Sequence, residues 1–223
     1  MTRPLITMIV ALALAAPTLV DPAAAWARTA GVSPGDALYA AGAHGGALCT
    51  LGYTFTDSVT DLNYGITAGH CDSGPSRYVV DRTTGAIGHF VLTAANPKRP
   101  LDDDYGLIDF GRHRSVPIMY GMAIVAISDP DPRNVVCHDG MRTGIACGAL
   151  DSHLGPSQYL TSGMRPSIPG DSGGPVWQPR PNNTATIIGI WLGEHNEPTG
   201  AHYGRFITLG EVAARIAAKT RGL

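Results

Sequence analysis

A chain of 223 residues is long enough for one large all-β domain or for two small barrels that share a cleft. Its 44% hydrophobic and 15% charged residues exclude a disordered chain, and a formal charge of −2 excludes a general attraction to nucleic acid or anionic membrane. With 28 glycines and 17 prolines it is punctuated too often for long helices, so many short strands joined by tight turns are expected.

The chain opens with a positive flank at Arg3, an apolar run over 5–20 and the small residues Ala23-Ala24-Ala25. This order reads as a signal peptide over 1–25, cut before Trp26, and predicts a secreted protein, extracellular or in the cell envelope. The run is shorter than the roughly 20 residues of a spanning helix. No later segment is apolar enough, so no stable membrane insertion is expected once the leader is removed. A loose lead over 26–45 follows, then β-like runs at 47–55, 64–68, 77–82, 86–93 and 104–110. Residues 112–121 contain Pro117 and read as a connector. A second set of runs lies at 122–127, 135–138, 145–152, 158–161, 174–178, 185–192 and 203–208. Val, Ile, Tyr, Trp and Thr recur in them, as pleated strands favour. The division is a first barrel over 46–116 and a second barrel with a terminal helix over 117–223. That helix starts at Thr208, with Glu211 three residues on as in a capping box, and Leu209, Val212, Ala213, Ile216 and Ala217 form its apolar stripe.

An exported chain with four cysteines is expected to oxidise them. Cys49 and Cys71 lie on neighbouring strand runs, and Cys137 and Cys147 flank a glycine-containing turn, which pairs 49 with 71 and 137 with 147. No C-x-x-C or H-x-x-x-H spacing supports zinc, so neither a metal nor any other cofactor is expected.

Three segments carry chemistry. In Gly170-Asp171-Ser172-Gly173-Gly174-Pro175 the glycines let the backbone turn tightly around a hydroxyl and let a substrate approach it. They also free the amides of Gly170 and Ser172 to face a developing oxyanion, a contribution of roughly 3–4 kcal/mol per donor. In Thr67-Ala68-Gly69-His70-Cys71 an imidazole closes an apolar strand, and imidazole can take and return a hydroxyl proton near neutral pH. A carboxylate must then hold that ring in one tautomer. Asp104 enters the strand after Asp102 and Asp103 and is the best placed; Asp57, Asp61 and Asp109 are weaker alternatives.

These motifs, with Asp104-Tyr105-Gly106-Leu107-Ile108 between the other two, resemble the chymotrypsin-like serine proteases in the order His, Asp, Ser. The likeness is closer to the bacterial branch of streptogrisins and α-lytic protease, whose Cys-to-Cys hairpin the stretch 136–148 resembles. The resemblance implies two six-stranded antiparallel Greek-key barrels with a C-terminal α-helix, His70 and Asp104 on the first and Ser172 on the second. It implies a secreted serine endopeptidase that cleaves polypeptides through an acyl-enzyme. A narrow esterase-like serine hydrolase and a catalytically weak binding protein of the same fold are the alternatives.

The sequence departs from that branch in several places. His138 stands where an arginine commonly pairs with the aspartate before the nucleophile; a protonated His138 is expected to hold Asp171, or Arg142 to substitute for it. Trp191 or Leu192 occupies the place of a serine that bonds the triad aspartate, while Gly193 fits the peptide-binding glycine. The pocket base falls near Pro166, Ser167 and Ile168, with no acid to attract Lys or Arg, and Glu194 and His195 could line its rim. The lead is too short for the folding pro-domain of that branch, which leaves unaided folding or trimming near Ala27-Arg28-Thr29.

Overall fold

The computed structural model describes residues 31–42, 45–96, 98–99 and 101–220; the expected signal peptide and its cleavage site lie outside the described residues. The first seven strands are β1 (Ala37–Ala40), β2 (Ala47–Thr50), β3 (Tyr53–Thr56), β4 (Asn63–Thr67), β5 (Tyr78–Asp81), β6 (Ile87–Ala94) and β7 (Tyr105–Asp109). They form one sheet in the order β2-β1-β5-β6-β7-β4-β3. Its two ends are the two halves of one bent segment. Leu51 and Gly52 join β2 to β3, with Leu51 N–H donating to Asp36 O at 2.9 Å and Gly52 N–H to Ile66 O at 2.8 Å. The run expected over 47–55 thereby closes the sheet into a barrel. β1 was not expected: Ala-Leu-Tyr-Ala lies in the stretch read as a loose lead, yet it pairs with both β2 and β5. Four residues with two alanines carry little strand signal, and partners on both sides supply what propensity does not.

The second sheet holds β8 (Ile118–Met119), β9 (Met122–Ile127), β10 (Val136–Gly140), β11 (Gly144–His153), β12 (Gln158–Ser162), β13 (Pro175–Arg180), β14 (Thr184–Asn196) and β15 (His202–Thr208). Its order is β13-β10-β11-β12-β15-β14-β9-β8, and an added β13–β14 pairing closes a six-stranded ring. Strand β13 returns beside β10 after β11 and β12, which is the Greek-key order. One pairing departs from the antiparallel expectation, since β9 runs parallel to β14 on the outside of the ring. Helix α1 (Leu209–Thr220) follows β15 directly and buries Leu209, Val212 and Ile216; Ala213 of the expected stripe faces solvent.

Strands buried on both faces, β7, β10, β13 and β14 among them, build the cores. Leu38, Leu51, Phe90, Tyr105, Ile108 and Phe110 are buried in the first barrel, and Val136, Ala146, Val176, Ile188, Trp191 and Phe206 pack together in the second. The two disulfides are those expected, Cys49–Cys71 and Cys137–Cys147. The first ties β2 to the turn after β4, and the second joins directly opposed residues of β10 and β11. Among the described residues no helix is long and apolar enough to cross a membrane.

Candidate active site

The Ser172 loop is held by backbone from both barrels. Thr50 on β2 donates its amide to Ser172 O at 2.8 Å and its hydroxyl to Gly170 O at 2.9 Å, while Met141 N–H donates to that hydroxyl at 2.9 Å. Gly173 has φ +88, and a Cβ there would lie 1.9 Å from Thr67 Oγ1 and 2.9 Å from Ala68 N. Only glycine lets the loop rest on the end of β4, three residues before His70. The Asp171 carbonyl turns inward to accept from Gly174 N–H at 3.2 Å. In a trans peptide the Ser172 N–H points the opposite way, out of the loop.

Asp171 is fully buried and accepts four bonds. Arg142 N–H (2.9 Å) and Thr143 N–H (3.1 Å) reach Oδ1; the Thr143 hydroxyl (2.8 Å) and Ile168 N–H (3.0 Å) reach Oδ2. Arg142 therefore contributes its amide, and its Cγ packs near Gly170. The expectation for His138 does not hold. Its ring is buried, neither nitrogen has a hydrogen-bond partner among the described residues, and it stacks on Trp191 with centroids 3.7 Å apart and planes 7° from parallel. Burial pushes its pKa down to about 4; the charge of Asp171 opposes this and that of Arg165 adds to it. A neutral ring flat on an indole cannot serve as the cation for Asp171, and the hairpin-turn amides take that place.

His70 sits in a single 3-10 turn, Gly69–Cys71, directly after β4. A Cβ on Gly69 would lie 2.3 Å from Ala94 O and 2.8 Å from Tyr105 N, so glycine lets this turn press against β6 and β7. That approach puts Asp104 within reach twice. His70 N–H donates to Oδ1 at 2.9 Å, and His70 Nδ1 lies 2.8 Å from Oδ2. Burial pushes the Asp104 carboxyl up, but the bonds from His70, its charge and the charge of Arg205 outweigh it, so the pKa lies below the ordinary value. An ionised carboxylate only accepts, so Nδ1 carries a proton, and whenever the ring is neutral Nε2 is the acceptor. His70 and Asp104 open on a cavity of about 510 Å³ that Thr93, Asn96 and Arg205 also line. Arg205, on β15 opposite Gly193, gave no signal in sequence because the packing of one sheet against the other, not a local motif, brings it near Asp104. The neighbouring acids are engaged elsewhere: Asp102 pairs with Arg99 at 3.4 Å, and Asp103 with Arg215 of α1. Asp57 and Asp109 each accept from nearby amides, those of Val59 and Gly111.

Two of the residues expected to bind substrate, Trp191 and Ser167, bond to each other. Trp191 is fully buried, and its Nε1–H donates to Ser167 Oγ at 3.0 Å. Ser167 in turn donates its amide (2.8 Å) and hydroxyl (2.7 Å) to Glu194 Oε1. Glu194 Oε2 lies 3.3 Å from His202 Nδ1. Leu192 is buried within a bulge of β14, Gly193 follows it with φ +113 and open space around it, and Pro166 is exposed. His195 lies beside Glu197 at 3.3 Å.

No protein-family model matches the chain. It is 32% identical over 157 residues to the uncharacterized protein Rv1815 of Mycobacterium tuberculosis strain H37Rv, which covers 65% of this chain and 67% of that protein. The uncharacterized protein MT1863 of strain CDC 1551 matches with the same identity and coverage. The chain belongs to the family of Rv1815. Its fold is shared more widely. Thermobifida fusca Protease A superposes with a TM-score of 0.64 at 17% identity, covering 84% of this chain and 97% of that one. A glutamic acid-specific serine protease gives 0.63 at 19% identity over 83% and 98%, and Nocardiopsis Protease 0.62 at 20% over 83% and 96%. This member of the Rv1815 family thus has the double-barrel fold of the bacterial chymotrypsin-like serine proteases.

Proposed function

We propose that the chain is a secreted serine endopeptidase with Ser172 as nucleophile, His70 as general base and acid, and Asp104 orienting His70. The observation that carries the reading is the pair of bonds between His70 and Asp104, at 2.9 and 2.8 Å, beside a serine loop seated on the same strand end. In this reading His70 Nε2 takes the Ser172 Oγ proton as that oxygen attacks a peptide carbonyl. The amides of Gly170 and Ser172 receive the oxyanion. His70 returns the proton to the leaving amine, and water then releases the acyl group by the same steps. Arg205 favours the ionised form of Asp104, which accepts the proton of His70 Nδ1. The two disulfides suit export to an oxidising compartment.

A fluorophosphonate probe on the exported chain tests this. Wild type is expected to label at Ser172. Ser172→Ala is expected to lose all labelling and about a millionfold in turnover. A wild-type chain that stays unlabelled while folded is instead a binding protein of protease fold.

A further inference from the structure

We infer that the space beside Ser172 for the substrate's acyl-side residue is filled by Trp191 and closed by Glu194, so that the enzyme cleaves polypeptides after glycine or alanine. This rests on the serine-hydrolase reading and adds the substrate class. Residues 166–170 lead into Ser172, and β14 is bonded to the two glycines that follow it, so these two segments flank the serine. Trp191 is fastened at this point. Its N–H donates to Gly174 O at 2.9 Å and its carbonyl accepts from Gly173 N–H at 2.7 Å, one and two residues beyond the serine. From there the indole spans both walls. Its face lies on His138, its outer ring lies where a Cβ on Gly204 would come within 1.9 Å, and its Nε1 bonds Ser167 across the gap. The ring is fully buried, so no water-filled slot separates it from either wall.

The mouth is shut independently. Glu194 is opposite Gly204 in the β14–β15 register, and its carboxylate reaches over to accept both Ser167 bonds. Its other oxygen faces His202, and the side chain is 18% exposed. A large acyl-side residue would have to eject the indole and break the Glu194 bonds together. A hydrogen atom or a methyl needs neither. Recognition then falls to the backbone edge at Gly193, which has open space around it, and to the flanking residues of the substrate.

The test is the rate at which Ser172 reacts with peptidyl phosphonates whose acyl-side residue is Ala, Val, Phe, Lys or Glu. A generic fluorophosphonate runs alongside. Wild type is expected to react with the Ala reagent at least a hundredfold faster than with Phe, Lys or Glu. Glu194→Ala is expected to admit Val, and Trp191→Val to bring the Phe reagent within tenfold of Ala. Wild-type reaction with Phe, Lys or Glu at a rate comparable to Ala overturns the inference while leaving the hydrolase reading intact. Failure of the generic probe overturns both. If Trp191→Val does not fold, as judged by circular dichroism, the wild-type profile and Glu194→Ala decide.

Discussion

Asp171 and His138 show how much one residue's surroundings decide. Four donors converge on the Asp171 carboxylate, and none is a cation. Replacing the neighbouring histidine by the arginine of the related branch would place a permanent charge where the ring now lies neutral against Trp191. His138→Arg is therefore expected to destabilise the protein by about 3 kcal/mol or more. His138→Phe, which keeps the flat stack and removes two unpartnered nitrogens, is expected to be tolerated within about 1 kcal/mol. Urea unfolding of the two variants checks both, and an Arg variant as stable as wild type would show that a cation belongs there. The sequence supports His70, Asp104 and Ser172 as candidates because each sits in a short motif whose residue types are demanded by chemistry. It could not show which way His138 faces. That depends on how β10 is placed between β11 and β13 in the closed barrel, where the ring meets Trp191.

Elements succeed or fail as units for the same reason. The strand runs over 47–55 and 104–110 were legible from β-branched and aromatic content, and the hairpin of Cys137 and Cys147 from its glycine turn. Strand β1 was not, since its stability comes from β2 and β5 rather than from its own side chains. The hinge between β2 and β3 also escaped notice, although Gly52 in it lies directly against the second barrel. A Cβ on Gly52 would lie 2.3 Å from Ile190 Cδ1 and 2.4 Å from Gly173 O. The first contact could be relieved by an isoleucine rotamer; the second is backbone of the serine loop. Gly52→Ala is accordingly expected to cost about 1–3 kcal/mol in stability and to slow fluorophosphonate labelling of Ser172, because the loop must shift away from Thr67. Gly210→Ala in the first turn of α1 meets nothing closer than 3.8 Å among the described residues and is the control, expected to leave labelling unchanged and stability unchanged or raised by up to about 1 kcal/mol. Equal labelling rates in the two variants would show that Gly52 does not set the position of the loop.

On the scale of the molecule, the joint between the N-terminal turn and the two barrels collects buried acids. Burial pushes the Asp36 carboxyl up to about 7, and the adjacent Asp81 charge adds to the push. Asp81 is itself supplied with donors from Thr83 and Thr84, so the proton belongs on Asp36. Across the joint, Gly35 brings its backbone so close to Asp139 that a Cβ would lie 2.8 Å from the carboxylate. Burial raises Asp139 to about 6, against the pull of Tyr120, and the Asp171 charge raises it further. Both acids hold a proton in the native state that the unfolded chain, with carboxyls near 3.8, has released. Their stabilisation is complete below that value and is lost as pH rises through 6 and then 7. His138 works the other way: its pKa falls from 6.5 to about 4, so its contribution is present above 6.5 and is lost on acidification toward 4. Above about pH 5, where the lowered carboxyls of Asp57, Asp104 and Asp131 are ionised in both states, two raised acids against one lowered base leave the native state binding more protons than the unfolded chain. The thermal midpoint is therefore expected to fall as pH is raised from about 5 to 7. Asp36→Asn keeps a neutral donor facing Asp81 and should flatten the upper part of that fall, between pH 6 and 7. Melts of both proteins across this range decide the point; a wild-type midpoint that climbs from pH 5 to 7 would mean that these carboxyls are already ionised in the folded protein.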